Sequence, residues 1–399
     1  VVITGMGIVS SIGDNLSEVA RALRTGESGL RAEPSFLEAG LVSGVAGVPR
    51  LDPASVGDRK LRRYMAEAAL YAWVATQEAL RQARLGELDN PRIGLVAGSG
   101  AGSLATAQEV YALARERGVA KISPYVVPRI MSSNVSACLA TTLGIRGAAY
   151  GLSSACATSA HCLGHAMELI QMGKQDVVIA GGAEEVDVSL AMLFDAMGVL
   201  ATNYNDRPRQ ACRPFDAARE GFALAGGAAM LVLESQQHAE RRGAEILAEL
   251  SGYGATCDGA DMVHPSQEGA ERAMSLAWPG PPEAIDYVNA HATGTPRGDL
   301  SEARAIAKFF GAHGPLVSST KGLTGHAIGA VAAQEVVYTL LMMRDGFVAA
   351  NTNLQEPDPA MPTLPFVTVT APARIERAMS LSLGFGGANA VLVLERYRP

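Results

Sequence analysis

The chain has 399 residues, 48% hydrophobic and 18% charged, with only 5% aromatic residues, 43 glycines and a net charge of −7 at pH 7. That length exceeds one ordinary core and predicts two or three closely packed α/β units without long disorder. The acidic balance argues against a general nucleic-acid binder, and the longest apolar run, Phe222 to Leu233, is too short and glycine-broken to insert in a membrane.

Hydrophobic periodicity predicts a strand at residues 1–7, helices near 16–24 and 60–82, and a strand at 92–97. Helical stretches at 104–115 and 127–143, a strand at 148–153 and an apolar helix after Cys156 follow. In that helix Gly164 allows close packing and Gly173 is a C-terminal cap. Strands at 176–180 and 228–234 close this half. The second half repeats the order, with strands at 246–253, 285–290 and 316–319 and a long helix from Gly325 in which Gln334 and Glu335 interrupt the apolar pattern. Both halves end in a glycine-rich turn running into an apolar strand that closes on Val-Leu-Glu, at Glu234 and Glu395. A duplicated α/β half follows, residues 1–243 and 244–399, with two central helices starting near one another around a pseudo-twofold axis. Chance likeness between glycine-rich strands is the competing account.

Gly151-Leu-Ser-Ser-Ala-Cys156-Ala-Thr-Ser-Ala-His161-Cys-Leu-Gly places one thiol where a strand runs into a helix. Unpaired N–H groups at a helix start bias a cysteine there toward thiolate. A buried thiol that only packs is the bland alternative. Asn289-Ala-His291-Ala-Thr-Gly-Thr295-Pro-Arg-Gly-Asp299 and Ser319-Thr-Lys321-Gly-Leu-Thr-Gly-His326 put two histidines and a lysine at further strand exits, where open α/β sheets place ligands. A lone histidine is more often structural, but these two face a candidate thiolate.

Together with Gly384-Phe-Gly-Gly-Ala-Asn389, these motifs resemble the β-ketoacyl-acyl carrier protein synthases over essentially the whole chain. The wording around Cys156, with Ala196-Met-Gly, Tyr204-Asn-Asp and Asp258-Gly-Ala-Asp-Met262, is nearer the bacterial type I enzyme than type II. The resemblance implies a thiolase-like, layered αβαβα fold, a homodimer and an acyl carrier protein partner. No cofactor is expected, because phosphopantetheine arrives on the carrier.

It also implies the roles. Cys156 takes an acyl chain as a thioester. His291 and His326 hold the malonyl thioester oxygen while carbon dioxide leaves, and the N–H groups of Cys156 and Phe385 form an oxyanion hole. Lys321 has two readings: an electrostatic role, or structural support through a buried pair with Glu302. Asp299 reads as structural. Thr293 and Thr295 would bond the pantetheine arm, although turn hydroxyls also cap their own backbone. Lys60 and Arg63, within the basic run from Arg59, match carrier-docking positions, with Arg117 and Lys121 a second candidate; a solvated helix face is the alternative.

Leu383 stands where the type I synthases usually have phenylalanine, which bears on gating and chain-length selection, and Ala292, Gly294, Gly322 and Ala388 also depart from common family residues. Ala101, Phe194, Met197 and Leu383 are candidates for the acyl-pocket wall, with core packing an equal account. Gly98-Ser-Gly-Ala-Gly-Ser103 is a poor dinucleotide fingerprint and reads as a pocket-lining turn. His161, Cys162 and His165 have the spacing of a metal pair without a completing cluster, so no metal is expected. A thiolase would need a cysteine near the C-terminus, and the last here is Cys257. The initiating synthase would have asparagine at position 326, and a non-catalytic polyketide partner subunit would lack Cys156. A polyketide ketosynthase is the remaining alternative.

Five cysteines, Cys138, Cys156, Cys162, Cys212 and Cys257, lack a disulfide framework and fit a reducing, cytoplasmic setting. The start at Val1 leaves room for residues ahead of it, an organelle-targeting segment among them.

Overall fold

A computed structural model describes residues 1–311 and 314–398. Its ten principal strands are β1 (Val2–Ser10), β2 (Ile93–Gly98), β3 (Ala149–Tyr150), β4 (Val177–Glu184), β5 (Gly227–Glu234), β6 (Ala248–Cys257), β7 (Tyr287–Asn289), β8 (Leu316–Ser318), β9 (Arg377–Gly384) and β10 (Ala388–Glu395). They form a ladder in the order β8-β7-β9-β10-β6-β1-β5-β4-β2-β3. Each run of five carries the same internal order, third-second-fourth-fifth-first. Each also carries the same directions: the second strand is parallel to the third and fourth, and the fifth is antiparallel to its neighbours. The two first strands meet in the middle, Val2 opposite Glu249 and Ile3 opposite Ala248.

Three apolar clusters separate the layers. The helices α1 (Glu67–Ala83) and α2 (Asn134–Leu143) cover one face of the first five strands through Val9, Leu95, Ile179 and Met230. The helices α4 (Gln267–Ala277) and α5 (Pro296–Phe310) cover the second five through Val288, Met379 and Val391. Between the sheets lie α3 (Thr158–Gln171) and α6 (Val331–Asp345), packed on each other and on inward residues such as Ile8, Leu231 and Leu392. This is the layered αβαβα arrangement that the family resemblance implies. Burial on nearly all sides explains why α3 and α6 read as apolar all round. At Gly164 a Cβ would collide with the ring of Tyr253, so only glycine lets α3 approach β6 this closely. No described helix is long and apolar enough to cross a membrane.

Two predicted helices are broken, and one buried asparagine explains both breaks. The stretch 60–82 divides into Arg59–Arg62 and α1, and the stretch 127–143 into Val126–Ile130 and α2. Asn134 accepts the N–H of Ala66 at 3.1 Å and donates to the carbonyls of Tyr64 at 2.8 Å and Pro128 at 2.7 Å. Its side chain thus satisfies backbone groups that helical continuation would otherwise pair. The strand predicted at 148–153 is reduced to β3, because the chain leaves the sheet edge to make the turn before Cys156.

Candidate active site

Cys156 sits in a single 3₁₀ turn, Ala155–Ala157, directly before α3. Thr158 ties this turn down: its Oγ1 accepts the Ser154 N–H at 2.8 Å and donates to the Ala155 carbonyl at 2.7 Å. Ala155 has φ 50°, a left-handed conformation costly for a residue with a Cβ. The same device recurs in the second half. There Ile328, with φ 40°, opens the 3₁₀ turn Ile328–Ala330 before α6. His326 lies just ahead of that turn, its N–H bonded to the Ala223 carbonyl and its own carbonyl accepting from Ala225.

The two turns touch, which brings His326 Nε2 to 3.0 Å from Cys156 Sγ. His291 follows β7, and its ring lies edge-on to that of His326 with centroids 5.3 Å apart. One donor atom from each of Cys156, His291 and His326 falls within 4.8 Å of the others. The N–H groups of Phe385 and Cys156 both interact with the sulfur. The three side chains share a cavity of about 320 Å³ with Phe194, Phe222, Thr293, Thr295, Leu383 and Phe385.

Burial pushes the Cys156 thiol up to about 12, against the opposing pull of Lys321 and of the Phe385 and Cys156 N–H groups. Lost solvation thus opposes the thiolate bias that the helix start supplies. Burial, reinforced by the charge of Lys321, holds His291 and His326 well below the usual histidine range. Both imidazoles are neutral near pH 7. Neither Nδ1 has a partner among the described residues, so no hydrogen bond there fixes the tautomer, and Nε2 can carry a proton.

Lys321 is fully buried and pairs with Glu335 of α6, also fully buried. The expected Lys321–Glu302 pair is corrected. Glu302 instead gives both oxygens to backbone, accepting from His291 N–H at 2.7 Å and Ala292 N–H at 2.6 Å, which fixes the loop that carries His291. Asp299 accepts from Phe215 N–H at 2.7 Å and Gly294 N–H at 3.0 Å. Thr293 donates its hydroxyl to that of Thr295 at 3.2 Å, and both line the cavity.

Phe194 and Leu383 line the cavity, whereas Ala101 and Met197 do not. Ala101 packs against the apolar cluster that includes Leu190 and Ile328, and Met197 caps the helix Val188–Ala196 with 44% of its surface exposed. No residue of the Gly98–Ser103 turn lines this cavity, and Ser99 Oγ and Gly100 N–H both donate to Glu184 at 2.7 Å. His161 meets Ser154 Oγ at 2.7 Å, Cys162 is buried in the central core, and His165 meets Tyr150 and Glu168, so these three do not converge. Lys60, Arg63, Arg117 and Lys121 are exposed. The Arg63 guanidinium lies 4.7 Å over the Tyr125 ring, which joins the 59–63 run to the segment carrying Lys121, while Arg117 pairs with Glu116 at 3.1 Å.

Sequence reasoning missed Glu184 and the role of Glu335. Glu184 is fully buried at the end of β4 and also accepts the Gly329 N–H at 3.0 Å, binding the first half to the turn that follows His326. The signal for Glu335 was present, as the polar interruption of an apolar helix. Phe222, whose ring lies edge-on to His326 with centroids 5.1 Å apart, carried none.

The family model for the N-terminal domain of beta-ketoacyl synthases matches residues 1–239, and that for the C-terminal domain matches residues 247–355. The chain is 51% identical to a 3-oxoacyl-[acyl-carrier-protein] synthase 1 of Haemophilus influenzae, over 99% of this chain and 98% of that protein. The crystal structure of a beta-ketoacyl synthase from Burkholderia phymatum superposes with a TM-score of 0.94 at 34% identity, covering 100% of this chain and 99% of that one. A type II polyketide ketosynthase, solved in complex with its acyl-carrier protein, superposes at 0.89 and 28% identity, with the same coverage. On the strength of both domain models and full-length relatives, the chain belongs to the beta-ketoacyl synthase family.

Proposed function

We propose that this chain is the type I 3-oxoacyl-acyl carrier protein synthase of fatty acid elongation, an acyltransferase that joins an acyl chain to malonyl-acyl carrier protein. The observation that carries this reading is the meeting of Cys156, His291 and His326 at one end of a shared cavity. Cys156 sulfur attacks the acyl thioester, and its proton leaves on the carrier's pantetheine sulfur. His326 Nε2, at 3.0 Å, relays that proton, which removes the need for a resting thiolate. Malonyl-acyl carrier protein then loses carbon dioxide, and the Nε2–H of His291 and that of His326, whose imidazole has exchanged its proton from Nδ1 to Nε2 through solvent, hold the enolate oxygen. The enolate carbon attacks the Cys156 thioester. The oxyanion of that step faces the N–H groups of Cys156 and Phe385, and collapse expels the cysteine sulfur as thiolate, which takes a proton from solvent, and leaves 3-oxoacyl-acyl carrier protein.

The supporting parts follow from the same geometry. Glu302 and Asp299 shape the 291–295 loop, Lys321 with Glu335 underlies the turn before His326, and Thr293 and Thr295 receive the pantetheine arm. Phe194 and Leu383 line the acyl end. Exposed Lys60 and Arg63, with Arg117 and Lys121 as a second basic pair, dock an acidic carrier protein. No cofactor of the protein's own takes part. The strand order repeated in each half supports two structural units, 1–243 and 244–399.

A homodimer is supported by β3, a two-residue strand left at the sheet edge, and by exposed apolar residues between positions 111 and 130, Tyr111, Val119, Val127 and Ile130. Five free cysteines suit a cytoplasmic setting. The test is formation of 3-oxoacyl product and carbon dioxide from acyl- and malonyl-carrier protein. Folded protein that forms neither contradicts the reading, as does acceptance of polyketide starters alone.

A further inference from the structure

We infer that the unacylated site is a binding site for a soft divalent cation, Zn²⁺ above all, held by Cys156 Sγ and one ring nitrogen each of His291 and His326. The three atoms lie within 4.8 Å of one another and all three residues are buried, so the donors already converge from three separate segments. Zinc bonds of about 2.3 Å to sulfur and about 2.0–2.1 Å to nitrogen set tetrahedral donors about 3.3–3.6 Å apart, so the 3.0 Å contact between His326 and Cys156 opens slightly and any wider separation within the 4.8 Å cluster closes onto the ion. Each imidazole offers a ring-nitrogen lone pair to a metal. The cavity leaves the fourth tetrahedral position to water, the open arrangement of zinc sites that are not purely structural.

The surroundings set the character of the site. Buried Lys321, paired with Glu335, and buried Glu184 and Glu302 surround the site, so a dication meets both a cation and acidic groups there. Neither histidine has a partner on Nδ1 among the described residues, so the outer hydrogen bonds that orient the ligands of permanent zinc sites are missing. The ion is therefore exchangeable. On binding, the S–H bond breaks, a Zn–S bond forms and the thiol proton passes to solvent, with no change of oxidation state. One thiolate and two imidazoles select zinc and its soft neighbours over Mg²⁺ and Ca²⁺. Metal-bound protein has no free nucleophile and no free imidazole, so zinc and acyl thioester exclude each other. That inhibition rests on the function proposed above; the binding itself does not.

The test is titration of metal-free, thiol-reduced protein with Co²⁺ as a spectroscopic stand-in, followed by displacement with Zn²⁺. One equivalent per chain is expected, with a sulfur-to-cobalt charge-transfer band and the visible absorption of tetrahedral cobalt. The band disappears in Cys156→Ala, weakens in His326→Ala and is unchanged in Cys257→Ser, which removes the exposed thiol. In parallel, Zn²⁺ stops condensation, a chelator restores it, and Mg²⁺ has no effect. An unchanged band in Cys156→Ala, its loss in Cys257→Ser, or no binding to folded parent protein overturns the inference. A parent that forms the cobalt site but never condenses acyl chains contradicts the proposed function and leaves the metal site standing.

Discussion

Ala155 and Ile328 hold the same left-handed backbone conformation in equivalent turns of the two halves, with φ 50° and 40°. Each opens the 3₁₀ turn before a central helix, and together they bring Cys156 and His326 into contact. The strain is thus part of how the site is aimed. Ala155→Gly is expected to fold with a Tm close to that of the parent, because glycine adopts this φ freely. Ala155→Val, β-branched at a positive φ, costs about 1–3 kcal/mol in thermal or denaturant unfolding.

His291→Ala and His326→Ala are expected to lower condensation by about 10²–10³-fold, the usual loss for one donor to a developing oxyanion. Acylation of Cys156 survives in His291→Ala. Single-turnover assays that separate acyl loading from carbon dioxide release check this, and an undiminished condensation rate in either variant contradicts the assigned roles.

The neutral state of both imidazoles has its own consequence. Burial and Lys321 keep their pKa well below the usual histidine range, so lowering the pH through about 6.5 does not charge them. The decarboxylation rate of pre-acylated enzyme is expected to stay level between about pH 8 and pH 6. A fall centred on the ordinary histidine pKa would show that one imidazole is solvated after all.

The Lys321–Glu335 pair distinguishes structural support from direct electrostatics. Lys321→Met leaves a carboxylate buried without its partner and costs about 3–5 kcal/mol. Lys321→Met with Glu335→Leu removes both charges and recovers most of that stability, and condensation returns to within about tenfold of the parent. A stable double variant that has lost condensation altogether assigns Lys321 to the chemistry itself.

Glu184 links stability to pH. Burial raises its carboxyl from 4.5 to about 7. A folded-state pKa above the unfolded one contributes stability that is present below pH 4.5 and lost as the pH rises through about 7. Glu184→Gln is expected to flatten this part of the unfolding free energy, on the order of 3 kcal/mol, between these limits. An unchanged pH slope in the variant contradicts the shift.

Much of this was legible in the sequence because it is written locally. Cys156 after a strand, His291 after a strand and His326 before an apolar helix are each visible in about ten residues, and the repeated half explains why they meet. What was not legible depends on partners brought together only by folding. The choice of Glu335 over Glu302 for Lys321 depends on which carboxylate faces the ammonium once α6 is packed between the sheets. The helix breaks at Tyr64 and Pro128 depend on Asn134, distant from Tyr64 in sequence. Met197 read as apolar wall but lies at an exposed helix end, where periodicity alone does not fix the direction of a side chain.

The most direct measurement is the intact mass of the protein after incubation with a mid-length saturated acyl-acyl carrier protein, for the parent and for Cys156→Ala. A gain of one acyl group in the parent and none in the variant is the predicted result. The same gain in Cys156→Ala, or none in correctly folded parent, contradicts the assignment of Cys156 as the nucleophile.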